Sequence, residues 1–142
     1  MLFIKEMRSL DELKECYEVI KELRPLLSFD DFLRIYTTSH QKDGYELVAI
    51  KIENRILAVM GYRFLDDFIR DRHVYIDDLV VTEKARSQGY GAELLAYAEQ
   101  IAKREHCKYL RLCTGIDNIK GMKFYERNGW VKRSHAYNKI ME

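Results

Sequence analysis

A six-residue stretch, RSQGYG at 86–91, constrains the fold of this chain more than any other part of its sequence. An apolar run, YIDDLVV at 75–81, precedes it, and a helical pattern, AELLAYAEQIAKREH at 92–106, follows it. Glycine in or beside a helix costs up to about 1 kcal/mol relative to alanine. Two glycines behind an arginine, where a strand passes into a helix, therefore predict a function that offsets this cost.

The composition suits one folded domain over residues 1–142, because 47% of the residues are hydrophobic and 33% are charged. No apolar run reaches the length of a membrane span, and the N-terminus becomes charged too early for a signal peptide. The three cysteines, Cys16, Cys107 and Cys113, are odd in number and lack metal-ligand spacing. These features predict a cytoplasmic protein without a metal.

Charge is distributed unevenly along the chain. The net charge is +1, which gives no reason to expect nucleic-acid binding. Residues 1–83 contain 12 Lys and Arg against 17 Asp and Glu, a net of −5, and residues 84–142 contain 12 against 6, a net of +6. This division is compatible with two solvated faces, or with an anionic ligand on one half and a cationic ligand on the other.

The order of predicted elements is β-α-α-β-β-β-α-β-α-β-(β). Apolar runs and alternation predict strands at 2–5, 45–52, 56–64, 73–81 and 109–114, with one or two closing strands within 130–141. Periodicity and capping residues predict helices from Ser9 to about Leu23 and over 29–37, 92–106 and 118–129. Strands 45–81 suit an antiparallel meander, and 73–114 suits a right-handed crossover. We therefore expect an α/β fold with a mixed central sheet and helices on both faces.

The glycine stretch has the chemistry of an anion site. A helix N-terminus presents unpaired N–H groups and a partial positive charge, and glycine allows a phosphate to approach the backbone closely. No Lys-Ser or Lys-Thr follows, which excludes a P-loop, and Leu94 occupies the third glycine position of a dinucleotide fingerprint. The pattern that remains is R-x-x-G-x-G, from Arg86 to Gly91.

This pattern resembles the pyrophosphate-binding motif of the GNAT superfamily of acyl-CoA-dependent N-acetyltransferases. A second block, DNIKGMKFYERNGW at 117–130, is similar to the closing segment of that family, in which an asparagine, a small residue, Phe-Tyr-Glu and Gly-aromatic recur. The predicted order of elements agrees as well. The resemblance implies a single GNAT domain over 1–142, with acetyl-CoA as cosubstrate and no metal.

The resemblance also implies which residues bind the coenzyme. Backbone N–H groups of the loop and first helical turn would bind the pyrophosphate, and the end of the preceding strand would leave backbone groups free for the pantetheine amides. The residues predicted in this way are Leu79, Val80, Val81, Arg86, Ser87, Gln88, Gly89, Tyr90, Gly91 and Ala92.

On the second helix, Asn118, Gly121, Met122 and Tyr125 share one face by their i, i+3, i+4, i+7 spacing. Asn118 is predicted as a coenzyme contact or an N-cap, and Gly121 as a contact or a site of close helix packing. The resemblance assigns Tyr125 the protonation of the leaving thiolate, in addition to a coenzyme contact. Simple packing is the alternative for Tyr125.

The strand YIDDLVV contains the two candidates for the general base, Asp77 and Asp78. Strict alternation places Asp77 on the face of Tyr75, Leu79 and Val81, with Asp78 pointing away. Buried carboxylates are costly unless they are paired or used. The resemblance adds that some small-amine members of the family carry an acid at this point, acting directly or through a water, and Asp77 is therefore favoured as the base. The alternatives are an ion pair of Asp77 with Arg63 or Arg111, and Asp78 as the base. For the route of transfer, a ping-pong acyl-cysteine at Cys113 is the alternative to the direct attack that is usual in the family.

The sequence therefore predicts transfer of an acetyl group from acetyl-CoA to a primary amine, by direct attack through a tetrahedral intermediate. The acidic stretch 65–78 indicates a small cationic amine, in a pocket built by the first two helices and the loop 65–72. A protein lysine or N-terminal acetyltransferase is the alternative, and a non-catalytic acyl-CoA-binding sensor is a further one. We expect a monomer or homodimer, with no nucleic-acid or membrane partner.

Overall fold

The structure is a computed structural model that describes residues 3–142. Leu2, which belongs to the first predicted strand, lies outside the described residues. The elements follow the predicted order as far as the fourth helix. They are β1 (Phe3–Glu6), α1 (Leu10–Leu23), α2 (Phe29–Asp43), β2 (Glu46–Ile52), β3 (Arg55–Asp67), β4 (Asp71–Val81), α3 (Tyr90–Arg104), β5 (Leu110–Leu112) and α4 (Ile119–Arg127).

The predicted helix boundaries at α1 and α4 are confirmed. Ser9 and Glu12 form a capping box at the start of α1, which ends immediately before Arg24 and Pro25. Asn118 caps α4, and Gly129 follows its end with a φ of 90°. The helix α2 is longer than predicted, because it continues beyond Thr37 to a left-handed cap at Gly44.

The five strands form one mixed sheet in the order β1-β2-β3-β4-β5, with antiparallel pairing from β1 to β4. The β2–β3 turn has positive φ at Glu53 and Asn54, which is the geometry of a two-residue hairpin loop. Five of the eight residues of the predicted loop at 65–72 belong to strands, because β3 continues to Asp67 and β4 begins at Asp71. Only residues 68–70 form the turn.

The two faces of the sheet bury different side chains. A cluster from Leu47, Ala49, Val59 and Val80 packs against buried residues of α1 and α2. The alternate residues of the same strands, including Val48 and Met60, are fully buried on the opposite face, where α3 packs. The helices therefore cover both faces, as predicted, and α1 and α2 belong to the face that matters for the site.

The chain divides into two compact units, of which the first ends at Arg111 and the second is Leu112–Glu142. In the second unit, α4 is followed by residues 130–142, which contain no helix or strand in the described chain. The closing strands predicted there are therefore wrong. Apolar residues such as Trp130, Val131 and Tyr137 are spaced irregularly, without the alternation of a half-buried strand.

Across residues 3–142, none of the helices has both the length and the apolarity needed to cross a membrane.

Candidate active site

The loop between β4 and α3 has the backbone geometry of an anion-binding turn. A short helical turn, Glu83–Ala85, follows β4, and Ser87 and Gly89 then adopt left-handed conformations with φ of 64° and 87°. The Arg86 Nε donates to the Val81 carbonyl oxygen at 3.3 Å, which ties the loop to the end of the strand. Alternating backbone conformations of this kind turn successive N–H groups toward one concave side.

The N-terminus of α3 differs from those of the other three helices in residues 3–142. Side-chain oxygens of Ser9, Ser28 and Asn118 accept backbone N–H groups at the starts of α1, α2 and α4. At α3 the cap is Gly89, and no side chain caps the helix. The first N–H groups of α3 are therefore free to bind an anion, which fits the pyrophosphate that the resemblance assigns to them.

The edge of β4 away from β3 is only partly covered. The Val74 N–H donates to the Tyr109 carbonyl oxygen at 3.2 Å, and β5 ends three residues after Tyr109. Leu79, Val80 and Val81 extend beyond that pairing. Their side chains contribute to the core, since Val80 is buried and the other two are half-buried. Within residues 3–142, β5 does not extend along them, so part of this edge is available to an extended ligand, although the Val81 carbonyl oxygen already accepts a hydrogen bond from Arg86 Nε.

A β-bulge corrects the predicted orientation of the two aspartates. Gly61 pairs with Asp78, whereas the next residue of β3, Tyr62, pairs with Ile76, so Asp77 is an extra residue in β4. The bulge breaks the alternation that the sequence analysis assumed. Asp77 and Asp78 both lie on the α1–α2 face, and Leu79, which pairs with Met60, points to the opposite face.

Asp77 forms the ion pair that the sequence analysis named as its alternative role. The Arg63 Nε donates to Asp77 Oδ2 at 2.8 Å, and Arg63 Nη1 donates to Asp43 Oδ2 at 3.0 Å. Burial raises the pKa of the Asp77 carboxyl, and the Arg63 guanidinium offsets part of that rise. Asp77 is thus one of two carboxylates that neutralise Arg63.

Asp78 has a different environment. The Tyr45 hydroxyl donates to Asp78 Oδ2 at 2.8 Å, and Arg24 Nη2 lies 3.5 Å from Asp78 Oδ1. Burial raises the pKa of Tyr45 well above its ordinary value, and the neighbouring Asp78 carboxylate raises it further. Tyr45 therefore remains protonated near neutral pH and acts as a fixed hydrogen-bond donor to Asp78.

Asp78 lines a cavity of about 430 Å³ that we call the α1–α2 cavity. This volume lies within the range of roughly 300–1,000 Å³ that is usual for small-molecule sites. Most of the wall is apolar, with the polar groups gathered around Asp78. The lining residues are Ile20, Arg24, Leu26, Leu27, Phe32, Ile35, Tyr36, Ser39, Tyr45, Arg63 and Asp78.

The other carboxylates of the acidic stretch do not line this cavity. Asp67 accepts hydrogen bonds from the backbone N–H groups of Ile69 and Arg70 and from the Arg70 side chain, which stabilises the β3–β4 turn. Asp66 and Asp71 are exposed. The sequence analysis named the first two helices and the 65–72 segment as pocket walls. The helices line the α1–α2 cavity, together with residues that follow α1, but residues 65–72 do not.

In the second unit, Asn118 has the N-cap role. Its Oδ1 accepts the Gly121 N–H at 3.0 Å, and its Nδ2 donates to Thr114 Oγ1 at 2.9 Å. A side chain at Gly121 would overlap Asn118 itself, so the absence of a side chain there makes room for the cap. This explanation of Gly121 was not among the predicted ones.

Tyr125 is half-buried in the second unit, with its ring edge-to-face against Phe124 and Trp130. Burial raises the pKa of its phenol. The group is therefore protonated at neutral pH, as a proton donor must be. Its coenzyme contact and its role as general acid stay predictions, as do the coenzyme contacts of Asn118 and Gly121.

Comparison with known proteins identifies the family. The model of the acetyltransferase (GNAT) family matches residues 8–130. The chain belongs to the GNAT acetyltransferase family. Members transfer the acetyl group of acetyl-CoA, so this GNAT protein is an acetyl-CoA-dependent N-acetyltransferase, and the resemblance stated from the two motifs is confirmed.

Individual relatives are similar to this GNAT protein over nearly the whole chain. An uncharacterized N-acetyltransferase of Bacillus subtilis, YhdJ, is 30% identical over 140 residues, which are 98% of this chain and 99% of that protein. A thialysine N-epsilon-acetyltransferase of Mus musculus is 23% identical and covers 90% of this chain and 88% of its own length. The solved aminoglycoside N-acetyltransferase AAC(6')-Iy in complex with CoA has the same fold, with a TM-score of 0.86, 16% identity and coverage of 99% and 96%.

The sequence analysis missed three residues of this candidate site. Tyr45, Arg24 and Gly61 surround Asp78, and a side chain at Gly61 would overlap the Tyr45 hydroxyl. An isolated glycine within a strand pattern signals a bulge or a close approach, so GYRF at 61–64 carried a usable signal. No local pattern marks Tyr45 or Arg24, because they are 33 and 54 residues from Asp78 in the chain.

Proposed function

We propose that this GNAT protein acetylates the primary amine of a small molecule bound in the α1–α2 cavity. The observation that supports this best is the position of Asp78: its carboxylate faces a small-molecule-sized cavity, and it directly precedes residues 79–81, along which β5 does not extend. An amine bound as its ammonium form would be attracted to Asp78. The acceptor would thus be a small cationic amine, in agreement with the expectation from sequence.

The residues around α3 fit the coenzyme. The proposed pyrophosphate site consists of the loop from Arg86 to Gly89 with the first turn of α3, because these N–H groups lack a side-chain cap. The free edge of Leu79, Val80 and Val81 would pair with the amides of the pantetheine arm. Bound acetyl-CoA supplies an acetyl thioester, whose carbonyl carbon accepts the amine and whose sulfur leaves as the thiol.

The side chains then have distinct roles in moving protons. Asp78 accepts a proton from the ammonium, which frees the lone pair that forms the new N–C bond, and Tyr45 holds that carboxylate in place. As the C–S bond breaks, Tyr125 donates a proton to sulfur, a role that rests on the family resemblance. The nitrogen loses its second proton, which restores the Tyr125 phenol, and Asp78 releases the first to solvent. The sum is an acetylated amine, free coenzyme A and one proton released.

Thiol release from acetyl-CoA in the presence of a panel of small amines tests this function directly. We expect transfer to small primary amines, and product mass larger by one acetyl group. Asp66→Asn is a suitable control, since Asp66 belongs to the same acidic stretch but is exposed and outside the cavity. Coenzyme binding without transfer to any amine would instead indicate a binding protein, and transfer only to peptides would indicate a protein acetyltransferase.

A further inference from the structure

The polar end of the α1–α2 cavity carries opposite charges side by side. Arg24 Nη2 and Asp78 Oδ1 are 3.5 Å apart, which is long for an ion pair. The other cation of the cavity, Arg63, is held by Asp43 and Asp77 at 3.0 and 2.8 Å. Arg24 is therefore the less closely paired of the two guanidinium groups, and 53% of its side chain is exposed.

Away from these charges the cavity wall is mostly apolar, with Ser39 as a polar exception, and aromatic contacts hold part of it. Phe32 stacks on Phe29, and the Tyr17 ring packs against both. The Tyr17 hydroxyl donates to the Leu27 carbonyl oxygen at 2.7 Å, which holds the segment after α1 against the helix. Leu26 is fully exposed and Ile35 is 45% exposed, so apolar surface of this wall faces solvent when no ligand is present.

We propose that the acceptor is an α-amino acid with an apolar or aromatic side chain. Its ammonium group would bind Asp78, its carboxylate would bind Arg24, and its side chain would lie against Leu27 and Phe32. An α-amino acid carries its two charges on one carbon, so it can replace the long Arg24–Asp78 contact by two close, charge-assisted pairs. The inference rests on the proposed function, since it names the acceptor class of the same cavity.

The charges of the cavity argue against a polyamine. Two guanidinium groups and one carboxylate line it, so a second ammonium group would meet repulsion and find no free carboxylate. A simple amine with an aromatic body would satisfy Asp78 and the apolar wall, but it would leave Arg24 with only its long contact to Asp78. The carboxylate is thus the feature that distinguishes the proposed class.

Binding measured without acetyl-CoA tests the inference independently of turnover. By calorimetry, L-phenylalanine should bind at least about tenfold more tightly than phenethylamine, which lacks only the carboxylate, as expected for a charge-assisted hydrogen bond. Spermidine should bind more weakly than L-phenylalanine. Arg24→Gln should reduce the preference for L-phenylalanine over phenethylamine to within about twofold, and Arg24→Lys should restore part of it.

Arg34→Gln is the matched control, because Arg34 is an exposed arginine that pairs with Asp31 on α2 and does not line the cavity. It should keep the full preference. Equal binding of L-phenylalanine and phenethylamine by the wild-type protein would overturn the inference, as would an unchanged preference in Arg24→Gln.

The two proposals fail in different measurements. Transfer to phenethylamine without binding of L-phenylalanine would retain the proposed function and overturn the amino-acid acceptor. Binding of L-phenylalanine that depends on Arg24, without thiol release from acetyl-CoA, would support the amino-acid site and overturn the proposed function.

Discussion

At the scale of single residues, the two adjacent aspartates differ in what already surrounds them. Asp77 is engaged by Arg63, whereas Asp78 faces the α1–α2 cavity and accepts a hydrogen bond from Tyr45. Asp78→Asn should therefore lower kcat by roughly 10²-fold or more, because an amide cannot accept the proton. Asp77→Asn should have a smaller effect, since it leaves Arg63 paired with Asp43.

The pH–rate profile separates the two assignments further. A base must be ionised, so the rate falls as the pH drops through the pKa of the base, which gives the profile its acidic limb. Burial raises the pKa of Asp77, so a limb due to Asp77 would lie above the ordinary aspartate range. If Asp77→Asn abolishes turnover and the limb while Asp78→Asn keeps both, the base predicted from sequence is right and Asp78 is not the base.

Gly61 gives a second residue-scale prediction. A side chain there would overlap the Tyr45 hydroxyl and push it away from Asp78. Gly61→Ala should lower kcat/KM for the acceptor and cost about 1–3 kcal/mol of stability, the usual cost of overpacking. Gly115→Ala is the control, because no atom lies within 4 Å of a side chain added at Gly115. Wild-type kinetics in Gly61→Ala would show that the Tyr45–Asp78 bond is dispensable.

At the scale of elements, the glycine that begins α3 can be compared with the glycine that follows α4. Gly89 and Gly129 have φ of 87° and 90°, and both have open space around the missing side chain. Alanine at either position should cost about 1–2 kcal/mol of stability from the left-handed conformation alone. Only Gly89→Ala should also weaken acetyl-CoA binding, by about tenfold, or 1.4 kcal/mol. Equal effects of the two variants on coenzyme affinity, measured by calorimetry, would remove the anion site from α3.

Element boundaries were predictable where the signal is local. The caps Ser9, Ser28 and Asn118 each bond to a backbone group three residues away, and the turn at 53–54 depends on its own two residues. The loop from Arg86 to Gly91 was recognisable because its glycines interrupt a strand-to-helix pattern.

The remaining features depend on partners distant in sequence. The bulge at Asp77 follows from the register between β3 and β4, and it reversed the predicted faces of the residues after it. The length of α2 was underestimated because its buried face continues through Tyr36 and Ser39 to the cap at Gly44. Periodicity alone gave no information on the bulge, whereas the spacing of Tyr36 and Ser39 and the glycine at 44 were local signals for the longer α2.

At the scale of the whole molecule, the acidic residues that give residues 1–83 their negative charge do not all serve one site. The carboxylates of the acidic stretch are distributed among the β3–β4 turn, the Arg63 cluster and the cavity, and only Asp78 lines the cavity. Residues 112–142 carry six basic and three acidic residues, part of the positive excess that we associated with an anionic coenzyme. Net charge alone therefore does not define the acceptor.

The predicted coenzyme contacts fall in both compact units, in residues 79–92 of the first and at Asn118, Gly121 and Tyr125 of the second. Saturating coenzyme A should stabilise the protein by about 2.7 kcal/mol at a hundred times its Kd, because it binds only the folded state. It should also slow hydrogen exchange at the start of α3, where the proposed pyrophosphate site lies, and exchange along α4 tests the predicted contacts of that helix separately. The N–H groups of α1, which carry their own capping box, provide an internal reference. Protection confined to α3 would mean that α4 does not contact the coenzyme. The alternative interpretation of Tyr125, packing beside Trp130, would then be favoured.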